Sequence, residues 1–520
     1  MLEADKRKEI VSALMSRGIL LDRNMLTQID SVTDMDSFHR FILDEAKSTT
    51  ELSSVAEIIQ KYRQRTIQLA APETSETDEN QEITGTSSVN IVFSYKAEPK
   101  KREVQDFTGY FTSRYNAIKS MLQNRKELQS LTSINRLNQK REREQTALIG
   151  IVTDKQETKT GKMMLTVEDP TGRIKVVVSP NSESYDIAKD TTLDEVLGIV
   201  GFCTGEVVFA NTLVHPDIPL YKEMKKSPDE AYALFIGDFH FGSKLFLDEP
   251  FSKLISWIRG EQGKDSQKDI SKKLKYVFIV GDLVDGVGIH PNQESELTIL
   301  DIYEQYNGFA KHLSMIPPHI KIIVCPGNHD AMRIAEPQPP LYKDFAEAVW
   351  KLPNVTMVSN PAYVNIHASE GFPGFDILMY HGFSFTYYAD NVESIRNKGG
   401  QARSDLIMEY LLKRRHLAPT HKSTLYLPDA QRDSLVIDKI PDFFITGHIH
   451  RVAAANYRNI TMLNCSCWIR KTDYMEKLGI EPDPGRAILV NLQTRKVKIL
   501  KFYDEKAEEK AEEKEEGKEG

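Results

Sequence analysis

The sequence predicts a multidomain α+β protein: an N-terminal helical module, then a small β-barrel, then a layered domain of buried strands and helices. Three observations predict it. Over residues 1–70 apolar side chains recur at spacings of three and four, the signature of amphipathic helices. Residues 146–225 switch to short β-like runs broken by turn signals. Residues 226–503 then carry five longer apolar runs, each ending in a short cluster of Asp, Asn or His. A chain of 520 residues is too long for one core, so two to four domains are expected.

In the helical module the periodic positions are Ile10, Val11, Leu14 and Met15, then Phe38, Phe41 and Ile42, then Val55, Ile58 and Ile59. No titratable cluster accompanies them, so the module is read as an interaction element. Residues 72–88 are polar, acidic and poor in apolar groups, the composition of a chain that does not order itself, and 71–99 is read as a disordered linker. Residues 100–145 form a basic helical connector in which Arg114 to Glu144 carries eight basic residues against three acids. Such a stretch is a solvated helix face or a phosphate-tracking surface. The barrel runs are separated by turns such as Asp169-Pro-Thr-Gly172, and its main exposed-aromatic candidates are Phe202, Phe209 and Tyr221. Binding of single-stranded nucleic acid and docking of a partner subunit both remain open for it. The tail, residues 504–520, holds nine acids and four lysines with nothing apolar to pack, and is read as a disordered acidic appendage.

That tail supplies −5 of the net charge of −8, so the body is near neutral and any contact with nucleic acid must come from local basic patches. Four cysteines at irregular spacing (Cys203, Cys325, Cys465 and Cys467) fit neither a disulfide frame nor a zinc cluster. The start has no apolar signal region, and no stretch gives about 18 uninterrupted apolar residues, so a soluble cytoplasmic protein with no membrane contact is expected.

The five runs are YALFIGDFH (232–240), YVFIVGDLVDG (276–286), IKIIVCPGNHD (320–330), FDILMYHG (375–382) and PDFFITGHIH (441–450). Continuous apolar runs suit parallel strands buried on both faces, and open α/β sheets collect ligands beyond the carboxyl ends of such strands. The residues brought there are Asp238, His240, Asp282, Asp285, Asn328, His329, His381, His448 and His450. Carboxylate, amide and imidazole donors without a thiolate suit a hard or borderline divalent ion, and their number suits two ions better than one.

The ordered clusters DFH, GDLVDG, GNHD, HG and GHIH resemble the five motifs of the calcineurin-like metallophosphoesterase superfamily. The longer stretches PGNHDAMRIAEPQPPL (326–341) and RRHLAP (414–419), with the barrel segment ahead of them, resemble the small subunits of archaeal family-D DNA polymerases. The resemblance implies an OB-fold for the barrel and a calcineurin-like αββα sandwich, closed by strands near Arg486 and Val497, for the last domain. It implies two divalent ions, with manganese the expected metal, and Asp282 as the bridging ligand. One ion then takes Asp238, His240 and His450, and the other Asn328, His381 and His448. His329 is implied as a general acid off the metal, oriented by Asp330; a loop-capping carboxylate is the alternative for Asp330. Asp285 stands where nuclease relatives often carry His, and ligation, a supporting role and a structural turn with Gly286 are all open to it. Arg333, Arg414 and Arg415 are candidate contacts to the DNA backbone. His290, His367 and His421 carry no local pattern.

By the same resemblance the chain is a 3′–5′ exonuclease that proofreads for a large catalytic polymerase subunit, as a nucleoid-associated heterodimer on single-stranded and primer–template DNA. A purely structural polymerase subunit and a general metallophosphoesterase are the alternatives. An unused cluster of acids and imidazoles would carry desolvation and repulsion with no metal to offset them, which weighs against the structural reading. No second carboxylate cluster of polymerase type stands out, so synthesis needs the partner.

Overall fold

The computed structural model describes residues 88–96, 100–139, 143–477 and 479–504, all within a compact unit that begins at Gly85. The helical module (1–70), most of the linker and the acidic tail lie outside the described residues.

Five strands close into a barrel: β2 (Glu144–Glu157), β3 (Met163–Asp169), β4 (Gly172–Val178), β5 (Val196–Cys203) and β6 (Val207–Val214), in the order β2-β3-β4-β6-β5. Alternation fills the inside with Leu148, Leu165, Val176, Leu197 and Val208, and β5 pairs back onto β2 to complete the closure. The barrel begins two residues earlier than its sequence boundary.

Two six-stranded sheets follow. The first runs β1 (Val89–Ser94), β11 (Ala362–Ile366), β12 (Phe375–Met379), β13 (Phe443–Thr446), β15 (Ile460–Asn464), β14 (Ala453–Tyr457). The second runs β10 (Val355–Met357), β9 (Lys321–Cys325), β8 (Leu274–Val280), β7 (Tyr232–Ile236), β16 (Arg486–Asn491), β17 (Val497–Lys501). Their facing surfaces share one core, in which Phe235, Phe278 and Ile323 of the second sheet meet Ile377, Phe443 and Leu463 of the first. The outer face of the second sheet is covered by α2 (Asp248–Ile258), α3 (Ile302–Leu313) and α4 (Lys343–Trp350). The outer face of the first is covered by α5 (Phe385–Asn391) and α6 (Ser404–Arg414). Helices thus cover both sheets in four layers, the αββα arrangement expected. No helix among the described residues is long and apolar enough to cross a membrane.

Two sequence boundaries change. Val89–Ser94, read as part of a linker, is the edge strand β1, paired antiparallel with β11. Its burial is almost wholly outward, so it offers no alternation to detect. The basic connector becomes α1 (Val104–Leu122), wedged between the two bodies. Tyr115, Ile118 and Leu122 pack on the barrel wall at Ala147, Ile149 and Val196. Tyr110 and Arg114 enter the phosphoesterase side instead: Tyr110 joins the outer core of the first sheet, and Arg114 is fully buried. Tyr110, Arg114, Ile118 and Leu122 are four apart and share one helix side, so a single stripe meets the phosphoesterase body with its first turns and the barrel with its last.

Candidate metal centre

Strands β7, β8 and β9 run parallel in one sheet, and β12 and β13 run parallel in the other. Each ends in a glycine turn that carries its polar residues into the same crevice. Any side chain at Gly281 would strike the His381 ring and the Gly327 backbone, so glycine there permits the loops to meet. Asp238, His240, Asp282, His448 and His450 all have left-handed backbone, with φ of +48° to +68°. Such conformations cost of order 1 kcal/mol each outside glycine and persist where the surroundings enforce them. In the pairs 238/240 and 448/450 the turn aims side chains two residues apart at one centre.

The residues gather in two halves. Asp238, His240 and His450 offer ligand atoms within 4.8 Å of one another, as do Asp282, His381 and His448. In the first half the Nε2 atoms of His240 and His450 are 3.1 Å apart, and Asp238 Oδ1 is 3.5 Å from His450 Nε2. In the second, His381 Nε2 lies 2.9 Å from Asn328 Oδ1 and 3.2 Å from Asp282 Oδ2. Asp282 Oδ2 is also 3.8 Å from His240 Nε2, so one oxygen faces both halves, as a bridging ligand must.

Hydrogen bonding behind these groups shows what they are built to hold. His381 Nδ1 lies 2.9 Å from the Val280 carbonyl, which can only accept, so this nitrogen carries the proton and Nε2 is left with its lone pair. His240 Nδ1 is 3.1 Å from the Asp285 carboxylate, which fixes that ring in the same sense. In the neutral tautomers so fixed, His381 Nε2 turns its lone pair on the Asn328 and Asp282 oxygens, and His240 Nε2 turns its own toward His450. Cations resolve that repulsion. Without an ion a proton takes the cation's place: burial works to lower the His381 pKa, yet the neighbouring Asp282 outweighs it and lifts it to about 10, so the ion-free ring holds a second proton on the nitrogen that faces these oxygens. Burial works to raise Asp282, and His381 and His329 together hold it well below the usual carboxylate range. The donor set therefore fits two divalent ions.

His329 sits on the rim, partly exposed, its ring edge-on to His240 with centroids 4.5 Å apart. Its backbone N–H donates to Asp282 Oδ1 at 2.8 Å, and Nδ1 donates to the Asp285 carbonyl at 2.9 Å. Nε2 is the nitrogen left to serve a substrate.

Several expectations require correction. Asp330 does not orient His329: it is buried and accepts from the Gly327 and Leu283 amides and from the Tyr306 hydroxyl, capping its own loop. The orienting group is the Asp285 main chain. Arg414 and Arg415 are buried rather than presented to DNA. The Arg414 guanidinium stacks on Tyr410 with Nε 2.8 Å from Glu195 Oε1, and Arg415 donates to the carbonyls of Ile437 and Asp438. Arg333 is half-buried and donates to the Ala335 and Pro337 carbonyls of its own loop. Residues without a sequence signal complete the support: Gln293 holds the Asp285 carboxylate at 3.0 Å, and Asn360 accepts from the His381 amide at 2.8 Å.

The family model of calcineurin-like phosphoesterases matches residues 232–452, the span that contains all five strand ends. The DNA polymerase II small subunit of Methanothermobacter thermautotrophicus is 37% identical over 401 residues, 77% of this chain and 80% of that protein. The Archaeoglobus fulgidus protein of the same name is 36% identical over 402 residues, 77% and 78%. The Pyrococcus abyssi one is also 36% identical over 402 residues, and there the chain spans only 63% of the relative's length. On that likeness the chain belongs to the family of DNA polymerase II small subunits.

Proposed function

We propose that the chain is the 3′–5′ exonuclease, or proofreading, subunit of a two-subunit DNA polymerase, working as a heterodimer with a large catalytic subunit. The observation that carries the reading is the intact donor set with its lone pairs turned inward, which a purely structural subunit would not need to keep. Two bound divalent ions, manganese by family resemblance, supply Lewis acidity toward a phosphodiester and make water nucleophilic near neutral pH. Asp282 would serve both, Asp238, His240 and His450 would hold one, and Asn328, His381 and His448 would hold the other. Asn328 adds a donor without adding negative charge, so the site stays attractive to phosphate. His329, held at Nδ1 by the Asp285 carbonyl, delivers a proton from Nε2 to the leaving oxygen when the ring is doubly protonated.

The crevice is formed by five loop ends, and a phosphate enters it more easily from a frayed strand than from a stacked duplex. Unpairing costs least at a mismatch, so selection of errors needs no reading of sequence. Cleavage polarity rests on the family alone. The barrel has the strand order of an OB-fold, and we assign it to single-stranded DNA or to the partner; Phe209 is exposed on it, and Arg143 lies over Phe202 at 4.9 Å. The remaining segments are proposed as a helical interaction module (1–70), a linker ahead of β1 and an acidic tail (504–520), in a cytoplasmic, nucleoid-associated enzyme.

The test uses oligonucleotides labelled at opposite ends, one fully paired and one with a 3′ mismatch, with manganese and no nucleotides. Faster loss of the mismatched 3′ end is expected; attack from the 5′ end, or equal rates on both 3′ ends, leaves a general phosphodiesterase. His329→Ala should keep both ions and slow cleavage by roughly 10²- to 10⁴-fold. An emptied site would make His329 a ligand instead.

A further inference from the structure

The metal centre is polar, yet its rim carries apolar side chains that the cores do not use. Phe383 follows the ligand His381 by two residues and is only partly buried. Its ring lies against that of His448, with centroids 5.5 Å apart and planes at 57°. It takes no part in the cores on either side of the first sheet, although Phe385, two residues on, is buried in the outer one. On the His329 side, Ile289 is 39% exposed and Val287 41%. Ile289 folds over Gly286: a methyl group there would be 2.8 Å from Ile289 Cγ1 and 2.5 Å from the His329 carbonyl oxygen. An aromatic ring thus borders the His381–His448 half of the cluster, and an aliphatic side chain borders the His240–His329 half.

Leaving part of a phenyl ring uncovered beside a metal centre forgoes some of its burial, which is favourable at about 25 cal/mol per Å². A simple phosphate has nothing to offer that ring. A nucleotide does, because every base has a π-face that stacks on an aromatic side chain whatever its sequence. We propose that Phe383 is the platform for the base of the nucleotide being removed, so that the site takes a nucleic-acid end bearing a base rather than any phosphodiester. The inference rests on the phosphodiesterase reading above. It assigns the terminal nucleotide to the His381–His448 half. The neighbouring nucleoside, whose oxygen leaves, then lies beside His329 and Ile289. Stacking is indifferent to base identity, as a proofreading site must be.

The experiment uses the full chain with manganese and single strands whose 3′-terminal unit carries either a base or an abasic tetrahydrofuran. For the unaltered protein the abasic end should show a KM higher by roughly 5- to 150-fold, the range of one base–aromatic stack. Phe383→Ala and the volume-conserving Phe383→Leu should raise KM by a similar factor on the base-bearing end alone, and Phe383→Trp should restore it. Manganese content is measured in each variant, so that a lost ion is not mistaken for lost stacking. Equal losses on both ends in Phe383→Leu, with the ions retained, overturn the platform while leaving the nuclease intact. Cleavage of neither end by the unaltered protein overturns the nuclease reading itself, and the platform with it.

Discussion

Two buried polar networks in this molecule are made from the same kinds of residue and come to opposite ends. At the seam between α1 and the phosphoesterase body, Arg114 Nε donates to Asp433 Oδ2 at 2.7 Å, Nη1 to the Pro419 carbonyl at 2.5 Å, and Nη2 to the Tyr110 hydroxyl at 3.2 Å. His416 completes it: Nε2 bonds Asp433 at 2.8 Å, and Nδ1 accepts from the Ala418 amide at 2.9 Å. Burial, with Arg114 beside it, lowers His416 to about 4, so the ring is neutral and Asp433 balances one arginine. In the metal centre, by contrast, donors are spent outward on Val280 and Asp285, and acceptors face one another across the middle. A closed network holds parts together. An open one waits for a cation.

The widest separation of the two comes from removing one carboxylate from each. Asp282→Asn should abolish cleavage and the binding of both ions together, because one oxygen faces both halves of the site. A variant that still holds two ions per chain by elemental analysis would refute the bridging assignment. Asp433→Ala should do the reverse. Loss of one partner leaves a fully buried guanidinium uncompensated and costs about 3–5 kcal/mol of stability, read by denaturant unfolding. The surviving folded molecules should bind metal normally. If Asp433→Ala instead loses metal at full stability, the seam is part of the site.

This contrast also explains what could be read from the chain alone. The strand ends were legible because a buried parallel strand is an unbroken apolar run, and a polar cluster at its end stands out against it. The seam was not, because RRH at 414–416 looks like a basic surface patch until Glu195 and Asp433, which lie far along the chain, are brought against it. Adjacency misled in the same way at Asp330. It follows His329 in sequence, yet the turn sends the two side chains apart, and the partner of His329 is a main-chain carbonyl 44 residues away. β1 escaped notice because its pairing with β11 spans more than 260 residues and its own faces are mostly exposed.

Between the two networks lies Glu336, buried and bonded by the Tyr380 hydroxyl at 3.1 Å; Tyr380 also reaches Ser384, which donates to the Leu417 carbonyl at the seam. Burial raises the Glu336 pKa to about 7, opposed by its hydrogen bonds. A carboxyl whose pKa is raised on folding stabilises the fold fully below its unfolded value near 4.5 and loses that contribution as pH rises through about 7. Glu336→Gln, which cannot ionise, should therefore be the more stable protein above neutrality, by about 3 kcal/mol at pH 8. The two should converge below pH 4.5. Parallel unfolding curves from pH 4 to 8 would show instead that Glu336 ionises at the same pH in the folded and unfolded chains.

The smallest expected effect probes how the open network is kept open. Asp285 holds His240 at Nδ1 while Gln293 holds Asp285, so the carboxylate turns the ring's lone pair inward. Burial works to raise the Asp285 pKa, and the bond from His240 outweighs it, leaving the group anionic. An anion behind a ligating imidazole makes the ring a stronger donor and selects its tautomer. Asp285→Asn keeps the volume and the bond to Gln293 but removes the charge, and its amide can present a donor to Nδ1 and reverse the ring. Metal affinity should fall by roughly 10- to 100-fold, as for other partners of metal-bound histidines. The chain should otherwise fold normally and regain activity at high manganese. Calorimetric titration of manganese into the metal-stripped protein reads this directly. An unchanged affinity would mean that Asp285 only shapes the turn at Gly286, and that the backbone alone keeps His240 aimed at the centre.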